Sequence, residues 1–255
     1  MQKLEKTILS LNALCRPASA RVSAAALLFV TLVFLVALLS VPLYAPQLIV
    51  WLAVYPVVQS EISGIGFGKV FMKSLWIIPF VALIGIFNPI IDTQPAFSVA
   101  GVTVSRGWVS FVSILLRGIV ALQAVIILSI TAGFYDMCSA MRKLGCPRVL
   151  VTQLQFTFRY IIVIAEEALA MDRARKARGF GRKNYPLAMW TRMTGQLLLR
   201  SHDRARRVNL AMKARGFNGS MPVSASLGMT PASWVFAAVW CLLIIAVRFY
   251  RGILF

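Results

Sequence analysis

The sequence predicts an all-α, polytopic membrane protein with about five transmembrane helices and an inserted cytosolic module of amphipathic helices. The first observation is hydropathy: the 255 residues are 59% hydrophobic with a mean hydropathy of +0.79, against roughly 45–50% apolar residues in a soluble domain. The second is that uncharged apolar runs of membrane-spanning length recur along the chain. The third is a long basic segment with a helical pattern, which precedes the last run.

Five apolar segments meet or approach the length of a transmembrane helix. A hydrocarbon core about 30 Å thick is crossed by around 20 mostly apolar residues in helical form. The predicted spans are residues 23–41, 45–59, 69–91, 108–131 and 232–247. The second span is the shortest because it begins after Pro42 and Pro46. Near the exit of the third span, Pro89 stands where a proline kinks or ends a helix.

The ends of the chain and one loop complete the predicted topology. The N-terminal segment is too polar before its apolar run to resemble a cleavable signal peptide, so we expect it to stay in the cytosol. The loop 92–107 then faces the outside, and its composition around residues 97–104 fits a short hairpin as well as a surface loop. Five spans place the C-terminus outside with Arg248 and Arg251, which runs mildly against the charge rule.

Positive charge is concentrated in one part of the chain. The net charge is +19, and residues 142–217 contribute 17 Lys or Arg against 4 Asp or Glu. Basic loops stay on the cytoplasmic side of a membrane, so this segment is expected in the cytosol. A nucleic-acid platform is disfavoured because the charges lie between spans and lack interleaved aromatic residues. The predicted domains are residues 1–22, 23–133, 134–231 and 232–255.

Three amphipathic helices are predicted within the basic segment. The first covers residues 134–144 and ends at Gly145. Pro147 opens the second, which runs until Gly179 stops it. The third begins after Pro186 and has Gly216 in the stop position, so the two long helices are expected to end alike.

The same five-residue string closes both long helices. It occurs as Lys176-Ala177-Arg178-Gly179-Phe180 and as Lys213-Ala214-Arg215-Gly216-Phe217. A cation in the last helical turn is favoured by about 0.3–1 kcal/mol, which explains a basic residue but not a repeated string. The planar guanidinium groups of Arg178 and Arg215 suit carboxylates on a partner. The duplication therefore predicts two equivalent docking points for a two-fold partner.

These residues resemble the transmembrane T component (EcfT/CbiQ family) of energy-coupling factor transporters, which are ECF-type ABC importers. In that family, each helix that couples to an ATPase ends in an Ala-Arg-Gly-like triplet, matched here by Ala177-Arg178-Gly179 and Ala214-Arg215-Gly216. The approach to the first triplet is similar too. It comprises Leu144-Gly145-Cys146-Pro147, Phe158-Arg159-Tyr160, Glu166-Glu167 and Ala174. The strong match covers about residues 134–217.

The resemblance implies a non-catalytic subunit of a bacterial or archaeal cytoplasmic membrane. Two cytosolic ABC-type ATPases clamp together on ATP, and two coupling helices pass the motion to a membrane-embedded substrate-binding S component. The cargo is a vitamin or a transition metal such as cobalt or nickel. The chain itself needs no cofactor, since ATP and magnesium are held by the ATPases, and it has no GxxxxGK[ST] loop.

The resemblance also assigns roles within the two strings. Arg178 and Arg215 pair with acidic residues in the ATPase grooves, and Gly179 and Gly216 let the backbone turn closely against the ATPase surface. The alanines complete the coupling triplets. Supporting contacts with the ATPases are expected from Lys176, Phe180, Lys213 and Phe217.

Ion pairs are predicted elsewhere on the long helices. Arg159 shares a helix face with Glu166 and Glu167, so a structural ion pair is expected. Asp172 precedes Arg175 and Lys176 at salt-bridge spacing, and Asp203 precedes Arg206 and Arg207 in the same way. His202 is the chain's single histidine and the cysteines form no CxxC pair, so no metal site is expected in this chain.

Two other functions remain open from the residues. Arg117 lies inside an apolar span, where an arginine lines a solute path, snorkels towards the boundary or pairs with a helix carbonyl. Together with the proline-broken third span it allows a stand-alone channel or secondary transporter. The basic helices also allow a membrane-bound scaffold or enzyme that holds anionic lipid. No nucleophile and base pair indicates a catalytic triad.

Overall fold

The computed structural model describes residues 22–42, 46–92, 95–99, 102–179, 186–219 and 230–254. Residues 1–21 of the predicted N-terminal segment and Phe180 lie outside these ranges. The helices are α1 (Ala24–Leu39), α2 (Pro46–Leu52), α3 (Val54–Ile62), α4 (Phe67–Leu75), α5 (Ile78–Gly85), α6 (Phe87–Ile91), α7 (Arg106–Thr131), α8 (Phe134–Lys143), α9 (Arg148–Arg178), α10 (Leu187–Ala214) and α11 (Pro231–Leu254). The predicted all-α class is confirmed.

A single β-hairpin interrupts the helices of the described chain. Strand β1 (Pro95–Val99) pairs antiparallel with β2 (Val102–Ser105), with Val99 opposite Val102. The sequence left a hairpin and a surface loop open at this place, and the alternating Val, Thr and Ser residues form the hairpin.

The described residues fall into two compact units. The first runs to Ala140 and includes α11, and the second runs from Met141 through α10. In the first unit, which we call the membrane unit, the long helix α7 packs against all six preceding helices. The boundary between the units lies near the end of α8.

The core of the membrane unit lies between α1, α2, α7 and α11. Phe34 and Tyr55 stack with ring centroids 4.5 Å apart, and Trp240 meets the Tyr55 ring edge-on at 4.8 Å. The buried Tyr55 hydroxyl is hydrogen-bonded to the Thr31 hydroxyl at 3.0 Å, so its polar tip is satisfied inside the apolar core. The backbone N–H of Ser23 donates to the Ser233 hydroxyl at 3.0 Å and ties α1 to α11.

By length and apolar content, the helices divide into two groups. Both α7 and α9 are long and apolar enough to cross a membrane, and the pair Phe67–Leu75 and Ile78–Ile90, bent by 48°, would make a third span. The predicted spans 23–41, 45–59 and 232–247 correspond to shorter apolar helices. The 48° bend of the third span lies before Pro79, in the first turn of α5, whereas the sequence predicted a kink or a helix end at Pro89. The cytosolic placement of α9 stays a prediction.

Arg117 has a structural partner in the membrane unit. Its Nη2 donates a hydrogen bond to the Val41 carbonyl at 2.5 Å. Val41 lies just beyond the C-terminal end of α1, where the helix dipole favours a cation. Of the roles that the sequence left open, the structure shows pairing with a carbonyl at a helix end.

Candidate functional site

The second unit is built around two long helices with defined starts. Gly145, at φ +94°, ends α8: its N–H donates to the Arg142 carbonyl, and the Cys146 N–H donates to the Met141 carbonyl. This pattern is a Schellman motif, which favours glycine because the residue is left-handed. Pro147 then begins α9 from an extended conformation, as predicted.

Helices α9 and α10 run antiparallel and form what we call the coupling hairpin. The Arg175 guanidinium lies 4.7 Å from the Trp190 ring centroid near the connection between the helices. At the other end, the Phe156 and Phe217 rings lie 6.2 Å apart. Between these contacts, Arg204 of α10 meets Glu167 of α9. The order of the pairs along the chain fixes the antiparallel direction.

The antiparallel arrangement separates the two repeated strings. Arg178 is the last residue of α9, beside the start of α10, whereas Arg215 follows the last residue of α10, near Phe156. At a rise of 1.5 Å per residue, the stretch of α9 from Phe156 to Arg178 is roughly 33 Å long. The two arginines therefore lie at opposite ends of the hairpin.

The two strings end their helices differently, which corrects the prediction that they end alike. Gly216 has φ +78°, its N–H donates to the Lys213 carbonyl, and the Phe217 N–H donates to the Met212 carbonyl. This Schellman turn reverses the chain so that Phe217 packs on Phe156. Gly179 has φ −86° and ψ 0°, a right-handed conformation that needs no glycine.

Most of the string residues are open to solvent. Ala177, Arg178, Ala214, Arg215 and Gly216 are exposed, whereas Gly179 and Phe217 are half-buried. Lys176 and Lys213 are exposed as well. Within the part of the chain that the structure describes, neither Arg178 nor Arg215 forms an ion pair.

An acidic residue pairs with two of the cations near the first string. Asp172 binds Arg175 and Lys176, each with an N–O distance of 2.5 Å, as predicted. Burial raises the pKa of the Asp172 carboxyl, but the hydrogen bonds and positive charges of Lys176 and Arg175 outweigh it and hold this pKa below its usual value. Arg178 is exposed and forms no ion pair among the described residues.

The corresponding ion pair before the second string does not form, which corrects a prediction. Asp203 is exposed, and among the ion pairs of residues 186–219 none joins it to Arg206 or Arg207. Helical spacing alone stabilises an exposed pair by only about 0.3–0.5 kcal/mol. Asp172 forms its ion pairs in a less exposed position than Asp203, since the Asp172 side chain is only 17% exposed.

The predicted pairing of Arg159 with Glu166 or Glu167 is also wrong. Glu167 instead binds across the hairpin, to Arg204 at 2.6 Å and to Arg200 at 3.5 Å. Seven or eight residues correspond to two helical turns, about 11 Å along the axis, so Arg159 shares the face without reaching the carboxylates. Glu166 is exposed and has no ion pair among the described residues. Sequence spacing within one helix gave no signal for the contact between helices.

Two open clefts lie between the helices of the hairpin. The first cleft, about 810 Å³, is bordered by five arginines and two glutamates, with methionines between them. Its arginines are Arg175, Arg178, Arg192, Arg200 and Arg204. The second cleft, about 480 Å³, has apolar and aromatic walls that include Phe156, Tyr160 and Phe217. His202 lies on the wall of the second cleft, and no group of three metal-ligating side chains occurs among the described residues.

Sequence comparison adds independent evidence. Residues 18–227 match the family described as "Cobalt transport protein", CbiQ. The "Cobalt transport protein CbiQ" of Rhodobacter capsulatus is 34% identical over 97 residues, 38% of this chain and 40% of that protein. The "Nickel permease LarQ" of Lactiplantibacillus plantarum is 26% identical over 121 residues, 44% of each chain.

A second CbiQ protein gives a similar result. The "Cobalt transport protein CbiQ" of Salmonella typhimurium is 28% identical over 120 residues, 43% of this chain and 53% of that protein. The chain thus spans about half the length or less of these curated relatives. The family match covers most of the chain and includes the repeated strings and the hairpin that carries them. The chain belongs to the CbiQ family of cobalt transport proteins.

Proposed function

We propose that this chain is the energy-coupling transmembrane subunit of an ECF-type ABC importer. Two cytosolic ATPases bind the two ends of the coupling hairpin, and their ATP-driven motion reaches a membrane-embedded S component that holds the cargo. The chain is a non-catalytic, multi-pass protein of the cytoplasmic membrane with its N-terminus in the cytosol. Because relatives are named for cobalt and for nickel, one of these metals is the proposed cargo.

One observation carries the proposal: a single hairpin presents the same basic string at both of its ends. Arg178 and Arg215 are exposed, and no described carboxylate neutralises either of them. Two similar nucleotide-binding subunits placed side by side require two docking points of this kind. A guanidinium at each point is suited to bidentate pairing with an acidic groove.

The first string gives further support. Asp172 pairs with both Arg175 and Lys176, while Arg178, two residues beyond Lys176, remains exposed without an ion pair among the described residues. A helix end that served only its own dipole would not need a third cation. Gly179 likewise adopts a conformation open to any residue, so a close approach of a partner surface accounts for the absence of a side chain.

The test is uptake by the reconstituted complex of this chain with its two ATPases and its S component. The double variant Arg178→Ala/Arg215→Ala should lose ATP-driven uptake of cobalt or nickel, because both contacts with the ATPases are removed. Arg173→Ala/Arg206→Ala removes two exposed arginines of the same helices and is the matched control. Undiminished uptake by the first variant, with the complex intact, would reject the proposal.

The alternative functions give different outcomes. A stand-alone channel or secondary transporter predicts flux through liposomes that contain this chain without ATPases. In the structure, the Arg117 guanidinium donates to the Val41 carbonyl. Arg117 therefore supports a channel or secondary transporter less than its position in the sequence suggested. A lipid-holding scaffold predicts that scrambling both strings at constant charge leaves function unchanged.

A further inference from the structure

The two helices of the coupling hairpin are joined at their middle by charged side chains. Glu167 Oε2 accepts a hydrogen bond from Arg204 at 2.6 Å, and Glu167 Oε1 lies 3.5 Å from Arg200. The Glu167 side chain is 20% exposed and that of Arg204 is 39% exposed. We call this group the midpoint ion pair.

The position of the midpoint ion pair follows the sequence repeat. Glu167 and Arg204 are 37 residues apart, the same interval that separates Arg178 from Arg215. Each member therefore stands 11 residues before the arginine of its own string, about 16 Å along its helix. In an antiparallel hairpin, the two strings then lie on opposite sides of the pair and at equal distances from it.

The arginines around Glu167 give its negative charge a structural role. The first cleft brings Arg200 and Arg204 together with Arg175, Arg178 and Arg192. Without the Glu167 carboxylate, Arg200 and Arg204 would lose their counterion and repel each other along α10, where they are four residues apart. The clefts on either side leave open space next to the pair, so the two side chains are a main link between the helices at the middle of the hairpin.

We propose that Glu167 and Arg204 are positioning residues that fix the distance between the two coupling strings. They touch neither the ATPases nor the cargo. They hold the hairpin rigid at its middle, so that a displacement of one string is passed to the other instead of being absorbed by a change in the angle between α9 and α10. This inference rests on the proposed coupling function.

The first measurement is the distance between the strings in the full complex. Spin labels are placed beside the strings, at the exposed positions Arg173→Cys and Arg206→Cys, after replacement of the four native cysteines, and the distance distribution is measured by pulsed electron resonance. A narrow distribution is expected with the midpoint ion pair intact. Glu167→Gln should broaden it, whereas Glu166→Gln, the exposed neighbour without an ion pair, should leave it unchanged.

The second measurement is ATP-driven uptake with both strings intact. Glu167→Gln should lower uptake severalfold while the ATPases still co-purify, because their docking residues are unchanged. The reversed pair Glu167→Arg/Arg204→Glu should restore a narrow distribution and uptake, since the glutamate again stands between two arginines. A role in folding alone would lower the amount of assembled complex but leave the uptake per assembled complex unchanged.

Failure of this inference differs from failure of the proposed function. If Arg178→Ala/Arg215→Ala abolishes uptake but Glu167→Gln matches Glu166→Gln in distance and uptake, the midpoint ion pair has no positioning role and the coupling function stands. A reversed pair that restores neither readout also overturns the inference. If the double arginine variant retains full uptake, the proposed function itself is lost.

Discussion

The membrane unit and the coupling hairpin are stabilised in different ways. Phe34, Leu38 and Ile49 of the membrane unit are fully buried, and their helices share one core with α7 and α11. In the hairpin, α10 has no buried residue and α9 has two near its start, Val151 and Thr152. Ion pairs and a few ring contacts hold the hairpin together. Such a region is suited to binding partners, because its side chains are not committed to a core.

The prediction with the largest expected effect compares the stability lost by one substitution in each region. Phe34→Ala removes a ring that is 0% exposed and stacks on Tyr55, so the free energy of unfolding should fall by about 3–5 kcal/mol. Leu199→Ala in α10 removes a side chain that is 62% exposed, and a change within about 0.5 kcal/mol is expected. Thermal unfolding of the purified chain in one detergent measures both. Equal losses of stability in the two variants would contradict the proposed difference between the membrane unit and the coupling hairpin.

The second prediction compares the glycines of the two strings. Gly216 is left-handed, so Gly216→Ala should cost about 1–2 kcal/mol of stability. Gly179→Ala should leave stability nearly unchanged, since its φ of −86° suits any residue. If a partner surface approaches Gly179 closely, the same substitution should weaken co-purification of the ATPases. Strong destabilisation by Gly179→Ala would show that local structure, not the partner, requires this glycine.

The third prediction concerns the acidic residues before the strings and has the smallest effect. Asp172→Asn should lower stability at neutral pH by about 0.5–1 kcal/mol, because it breaks two ion pairs. Asp203→Asn should change it by a few tenths at most. Denaturant titration of each variant against the wild type measures the difference.

The pH dependence of Asp172 follows from the direction of its pKa shift. The folded-state pKa lies below the unfolded value of about 3.9. The contribution of Asp172 is therefore complete above pH 4 and is lost as the pH falls through the folded pKa. Wild type and Asp172→Asn should differ in stability at pH 6 and converge in strong acid. A difference that grew on acidification would contradict this sign.

The features that the sequence predicts correctly are those that local patterns determine. Apolar runs located the helices of the membrane unit, and Gly145, Pro147 and Gly216 fixed helix ends through backbone conformations and capping positions that these residues favour. The Asp172 pairs followed from helical spacing. These features depend on residues a few positions apart.

Features that depend on distant residues were missed or left open. Glu167 was assigned to Arg159 of its own helix, whereas the direction of α10 brings Arg204 to it. The bend before Pro79 and the Arg117 contact with Val41 likewise depend on how helices pack. The 37-residue interval between Glu167 and Arg204 could not have indicated this contact, because Arg178 and Arg215 have the same interval and lie at opposite ends of the hairpin.

The central claim is that one hairpin binds two ATPase subunits through its two ends. Cross-linking tests it most directly: Ala177→Cys and Ala214→Cys, introduced together in the full complex, are each joined to nearby subunits by a short cross-linker. We predict a product that contains one copy of this chain and two ATPase subunits, formed through both positions. Cross-links to lipid only, or to an ATPase at one position only, would contradict the account.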